Sequence, residues 1–262
     1  RVPGVCAIAL GGSRSRGLAT KQSDYDIGLY YVAEEPLDVA GLRGIVAQFD
    51  DRGPEASVTP VGGWGPWING GGWLTVRGTR VDLLYRDLVR VGEVIGDCRR
   101  GSIERHYQPG HPHAFVSTIY MGEVAYCHPL WDPAGRLAEL KTLTLPYPQA
   151  LRAAVIKAFL WEAEFAIKVA RHGRALEDAV YVSGCAFRCI ACLCQVLCAV
   201  NGAYLLNEKG AAAAVEAFPR RPNGFRPRVM EALGAIARDE PAGALDKLAR
   251  LLLETEAIVG ER

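Results

Sequence analysis

The chain has 262 residues, half of them hydrophobic and 23% charged, with a formal net charge of +1. This profile excludes a disordered chain and leaves room for one large or two modest cored domains. The near-neutral balance lacks the electrostatic footprint of a long nucleic-acid partner, which is disfavoured short of a local basic groove.

The chain opens at Arg1 and enters a strand almost at once, as expected where the native start lies further upstream. Apolar runs at residues 5–10 and 27–31 predict two short buried strands. Between them lie Gly11-Gly12-Ser13, a ten-residue spacer carrying Arg14, Arg16 and Lys21, and then Asp24-Tyr25-Asp26. Residues 36–49 predict a helix whose partly apolar face holds Leu37, Leu42, Ile45, Val46 and Phe49. Residues 50–67, rich in Gly and Pro, predict loop. Segments 73–76 and 80–85 predict a hairpin across Arg77-Gly78-Thr79, with Asp82 isolated inside the second strand. A short helix is expected at 88–98 and a last strand at 116–126.

Beyond residue 148 the pattern changes to long helical periodicity, predicting helices at 150–172, 180–201, 210–217, 226–238 and 242–259. A linker-like loop separates two of them at 219–227. The expected fold is therefore an α/β part, a mixed sheet with helices over residues 1–135, followed by an all-α bundle over 136–262. The weakly polar window 189–206 has about the length of a membrane span. With amphipathic helices on either side it reads as a buried central helix, and no membrane association is expected.

Eight cysteines occur, five of them at Cys185, Cys189, Cys192, Cys194 and Cys198. The first three have a spacing used to hold iron–sulfur clusters. They fall within continuous helix, however, where free Cys packs as a small apolar residue. Core packing and a reducing, cytoplasmic setting are expected. The histidines make no zinc pattern, and His111-Pro112-His113 reads as loop.

The chemistry gathers around the first two strands. A Gly-Ser turn leaving a strand presents backbone N–H groups to phosphate oxygens without a Cβ in the way. Alternate residues of a strand face the same way, so Asp24 and Asp26 share one face. Two carboxylates beside a phosphate cradle suit a pair of Mg²⁺ ions, which points to nucleotidyl transfer. An isolated Asp in a core strand, such as Asp82, is costly unless its charge is compensated.

The Gly-Ser turn, spacer and Asp-x-Asp resemble the nucleotidyltransferase superfamily that includes DNA polymerase β, where a third carboxylate lies on a neighbouring strand. The resemblance implies that Asp24 and Asp26 hold two Mg²⁺ ions and that Asp82 completes the shell nearer the acceptor. It also implies that Gly12 and Ser13 contact the outer phosphates of ATP, with Arg16 among the cations on the spacer that neutralise developing charge. In the helical half, Glu164-Phe165-Ala166-Ile167-Lys168 is similar to the Glu-x3-Lys of kanamycin nucleotidyltransferases. Four residues apart on a helix puts both side chains on one face. There Glu164 would be the acceptor base and Lys168 a triphosphate contact, with Lys209 as the rival lysine; a surface ion pair is the plain alternative. The resemblance implies adenylyl transfer from ATP to a hydroxyl of an aminoglycoside-like small molecule, an antibiotic-resistance type of activity, in a chain that could dimerise. The alternative is a toxin–antitoxin-type nucleotidyltransferase acting on tRNA or a partner protein. Trp64, Trp67 and Trp73 are the candidate acceptor-pocket aromatics.

Overall fold

The computed structural model describes residues 2–261, which fall into two compact units: residues 2–97 with Tyr120–Leu145, and Cys98–Ile119 with residues 146–261. In chain order the elements begin β1 (Val5–Leu10), α1 (Gly12–Ser15), β2 (Tyr25–Tyr31), α2 (Val39–Phe49), α3 (Gly65–Ile68), β3 (Gly71–Val76), β4 (Thr79–Asp87) and α4 (Leu88–Arg99). They continue with β5 (Arg105–His106), β6 (Phe115–Val116), α5 (Thr118–Tyr126), β7 (His128–Trp131) and α6 (Arg136–Thr142). The helices α7 (Gln149–Ala170), α8 (Ala179–Val200), α9 (Ala211–Glu216), α10 (Phe225–Ala237) and α11 (Pro241–Gly260) complete the chain.

In the first unit five strands form a mixed sheet in the order β3-β4-β2-β1-β7. Among the described residues only the pair of β2 with β4 is parallel. Alternation along the strands sorts side chains between the two faces. Leu29, Tyr31, Leu83, Tyr85 and Leu74 turn to one side and pack with Leu42 and Val46 of α2. Each such buried side chain contributes on the order of 1.5–3 kcal/mol. Helix α2 starts where the Asp38 side chain accepts a hydrogen bond from the Gly41 N–H at 2.9 Å, supplying a partner that a helix start lacks.

The opposite face carries Ala7, Ala9, Tyr30 and Arg86, all buried. Arg86 is 2% exposed and donates from Nε and Nη2 to Glu123 of α5 at 2.8 and 2.6 Å, while Nη1 reaches the Ile68 carbonyl. Burial works against this cation, but the Glu123 carboxylate more than compensates and keeps it charged.

The expected strand at 116–126 is a correction. Only Phe115–Val116 is strand, and Thr118–Tyr126 is helix α5. Residues from Phe115 to Met121 are all buried, Ser117 and Thr118 included, so there is no alternation of buried and exposed positions from which to separate strand from helix.

In the helical unit the long helices α7 and α8 pack together, with α10 and α11 against them. Helix α8 begins where the Asp178 side chain accepts from the N–H groups of Val180 and Tyr181, both at 3.0 Å. It is long and apolar enough to cross a membrane, yet 78% of its most apolar window is buried inside the protein. Cys189, Cys192, Cys194 and Cys198 are among its buried residues, and no disulfide joins cysteines among the described residues. The architecture is thus a mixed sheet with helices in the N-terminal part and a helical C-terminal part.

Candidate active site

The parallel pairing of β2 with β4 puts Asp26 directly beside Asp82. Register partners on adjacent strands share a face, so both carboxylates leave the sheet on the side opposite α2. Asp24 precedes Asp26 by two residues in the extended approach to β2. All three acids are half-buried.

The Gly-Ser turn is pressed onto this group. The Gly11 N–H donates to the Asp26 carbonyl at 2.8 Å. Gly12 has a φ of +62°, and a Cβ there would lie 1.7 Å from Asp26 Oδ2. Any other residue would meet both the left-handed backbone penalty and the carboxylate. The Ser13 carbonyl accepts from the Leu18 N–H at 3.0 Å, closing the turn. The leading N–H groups of α1, like those of any helix start, have no partner inside the helix.

The spacer cations divide. Arg14 donates from Nε to the Asp24 carbonyl at 2.9 Å and from Nη2 to the Ser23 carbonyl, with its guanidinium 3.9 Å from the centre of the Tyr25 ring. It therefore fixes the backbone that presents Asp24. Arg16 and Lys21 are exposed, and the Arg16 guanidinium lies 5.8 Å from the Tyr126 ring centre.

The three tryptophans divide as well. Trp73 pairs in register with Asp82, shares its face and is 66% exposed. Its ring stacks on Trp64, with centroids 4.7 Å apart. Trp67 is core: it is 5% exposed, its carbonyl accepts from the Tyr120 hydroxyl, and Arg90 lies over its ring. Of the three candidate aromatics Trp67 is therefore a core residue, while Trp64 and Trp73 form the stacked pair. A shallow apolar depression around Tyr25, Ile27, Val76 and Val81 belongs to the other face of the sheet by the same alternation.

In the helical unit Glu164 and Lys168 are exposed one turn apart on α7, and Lys209 is exposed after the loop that follows α8. Two acids that the sequence reading passed over are buried in this unit. Glu208 accepts from the N–H groups of His113 and Ala114 at 2.8 and 3.2 Å. Burial opposes its ionisation, but the His111 contact and these N–H groups hold its carboxyl below the usual value. Glu162, 4% exposed, binds His113, Arg188 and Arg105. The signal for Glu162 was present in its spacing: it falls on the stripe of Val155, Phe159 and Ala166 that faces the core.

Residues 1–63 match the family model described as a nucleotidyltransferase domain, a span that includes Gly12, Ser13, Asp24 and Asp26. No curated protein matches the chain. Among solved structures, the chain is similar to a nucleotidyltransferase-like protein from Exiguobacterium sibiricum 255-15, at 12% identity and a TM-score of 0.43. That similarity covers 98% of this chain and 72% of the other. The matched N-terminal segment and the carboxylate geometry built upon it support the nucleotidyltransferase superfamily, and with it nucleotidyl transfer as the general activity.

Proposed function

We propose that this protein is a Mg²⁺-dependent nucleotidyltransferase that moves AMP from ATP to a hydroxyl of an aminoglycoside-like small molecule. The observation that carries the reading is the register pairing of Asp26 with Asp82, with Gly12 packed against the Asp26 carboxylate. Two adjacent carboxylates with a third two residues away form an all-oxygen donor set, which fits a hard cation such as Mg²⁺. Asp24, Asp26 and Asp82 would hold two such ions, whose chemistry is to activate the attacking hydroxyl and stabilise the leaving pyrophosphate.

The remaining work falls to the chain's own groups. The backbone of Gly12 and Ser13 binds outer phosphates, and Gly12 allows that approach because it lacks a Cβ. Arg14 keeps Asp24 in place through two backbone carbonyls. Arg16 is exposed on the spacer and available to a phosphate. The Trp64–Trp73 stack, beside Asp82, offers a flat apolar face to the ring of an acceptor. In the helical unit Glu164 is our candidate acceptor base, and Lys168 and Lys209 are our candidate triphosphate contacts. We place the activity in a reducing, cytoplasmic setting, in keeping with cysteines that pack as core residues along α8. The small-molecule acceptor is favoured because net charge is near zero.

The test is incubation with α-labelled ATP and Mg²⁺ against separate panels of aminoglycosides, tRNA and cell-lysate proteins. Label on an aminoglycoside supports the reading. Label on tRNA or a protein overturns the acceptor class, and no label on any panel overturns the activity.

A further inference from the structure

We propose that the helical unit holds a second, chemically different metal site, for Zn²⁺, formed by His113, Glu162 and Cys192. Each side chain comes from a different part of the unit: the segment between β5 and β6, helix α7 and helix α8. Their donor atoms lie within 4.8 Å of one another. His113 Nε2 is 2.8 Å from Glu162 Oε1 and 3.7 Å from Cys192 Sγ. The His113 and Glu162 side chains are 3% and 5% exposed, and Cys192 is fully buried.

One imidazole nitrogen, one carboxylate oxygen and one thiol sulfur form a donor set of the kind Zn²⁺ takes at about 2.0–2.3 Å, with water completing a tetrahedron. The sulfur excludes Mg²⁺, which prefers oxygen, so this site does not duplicate the aspartates of the sheet. A thiolate and a carboxylate together balance the dication, which removes the objection to burying either charge alone. On binding, the thiol proton leaves to solvent and His113 takes the neutral tautomer protonated at Nδ1, so that nitrogen, oxygen and sulfur each donate a lone pair.

The arginines around Glu162 fit this arrangement. Arg105 Nη1 donates to the other oxygen, Oε2, at 2.5 Å. Metal-ligating carboxylates are ordinarily oriented by such an outer hydrogen bond. Arg188 Nε donates to Oε1 at 2.6 Å and so occupies the ligating oxygen. Its side chain is 59% exposed, so it can withdraw into water without leaving a buried charge behind. The cluster is also not a catalytic triad. His113 meets both Cys192 and Glu162 through the same nitrogen, and burial pushes the Cys192 thiol far above its usual value.

The experiment uses the full chain, stripped with a chelator and titrated with Co²⁺ and then Zn²⁺. The expected result is a near-ultraviolet thiolate charge-transfer band that saturates at one equivalent of Co²⁺ and is displaced by Zn²⁺, with a higher melting temperature. Cys192→Ser should abolish the band and weaken Zn²⁺ by more than the roughly 10- to 100-fold typical of losing an outer partner. Cys185→Ser and Asp24→Asn should leave both unchanged, which separates this site from the proposed activity. Arg188→Ala, an exposed change that spares the fold, should bind Zn²⁺ as tightly or more so. No thiolate band in the wild type, a band that survives Cys192→Ser, or weaker binding by Arg188→Ala would each overturn the site.

Discussion

The two units place buried acid in opposite ways. In the helical unit Glu162 is met at 2.5–2.8 Å by Arg105, Arg188 and His113. Burial alone would raise its carboxyl, yet the His113 hydrogen bond and charge and the Arg188 cation hold it at about 2. In the sheet unit Asp26 and Asp82 stand side by side on paired strands, with a glycine turn pressed against one of them. Like charges directly opposite on neighbouring strands cost stability. In the helical unit the chain's own cations already meet the acid, and by our proposal one of them gives way to a metal; in the sheet unit strand register sets two acids side by side.

The strongest way to break this comparison is Asp26→Asn or Asp24→Asn. Each should abolish transfer in the labelled-ATP assay, while the metal-free melting temperature holds or, for Asp26→Asn, rises through relief of like-charge repulsion. Wild-type turnover in either variant would remove the aspartates from the chemistry.

The converse test is Arg86→Met, which strands Glu123 beside the sheet. Denaturant unfolding should show a loss of about 3–5 kcal/mol, the usual result of breaking a buried pair from one side. A neutral result would mean that this ion pair is replaceable by apolar packing.

A finer distinction separates two glutamates on one helix. Glu164→Gln should slow transfer by about a hundredfold with ATP affinity and unfolding unchanged, because an exposed acid contributes little to the fold. Lys168→Ala or Lys209→Ala should instead weaken ATP binding, read by titration. If Glu164→Gln alters ATP affinity alone, the acceptor base lies elsewhere.

The smallest expected effect concerns pH. Hydrogen bonds from Arg52 hold the Asp50 carboxyl well below the usual carboxylate range despite its burial, with the Arg52 and Thr75 N–H groups adding to them. Its folded value is depressed, so its stabilisation is complete above the unfolded value of about 3.9 and fades as pH falls below it. Thermal melts of wild type and Asp50→Asn should therefore converge in acid and diverge toward neutrality.

Much of the candidate site was legible because it is local. Gly12, Asp24, Asp26 and the hairpin bearing Asp82 are short patterns in which spacing alone fixes face and turn. The helical stretches were legible for the same reason, through their period. Long-range pairing was not. The antiparallel joining of β7 to β1 leaves no trace in the composition of His128–Trp131. Helix α5 concealed its period by being buried on all sides. The spacing that buries Glu162 says nothing of Arg105, and Arg86 becomes intelligible only with Glu123, the partner that the fold delivers.

The Arg14 clamp has a consequence for how this loop can change. Because one guanidinium ties the start of the spacer to the carbonyls of Ser23 and Asp24, the two ends of the loop are held to each other. Residues 16–22 are all exposed. Loop-closure entropy grows only slowly, with each doubling of length costing roughly 0.6 kcal/mol. The spacer can therefore lengthen, shorten or exchange its charges while the aspartates stay in register. It is the part of this molecule where a graft of foreign sequence, or evolutionary drift toward a new phosphate-side contact, would meet the least resistance.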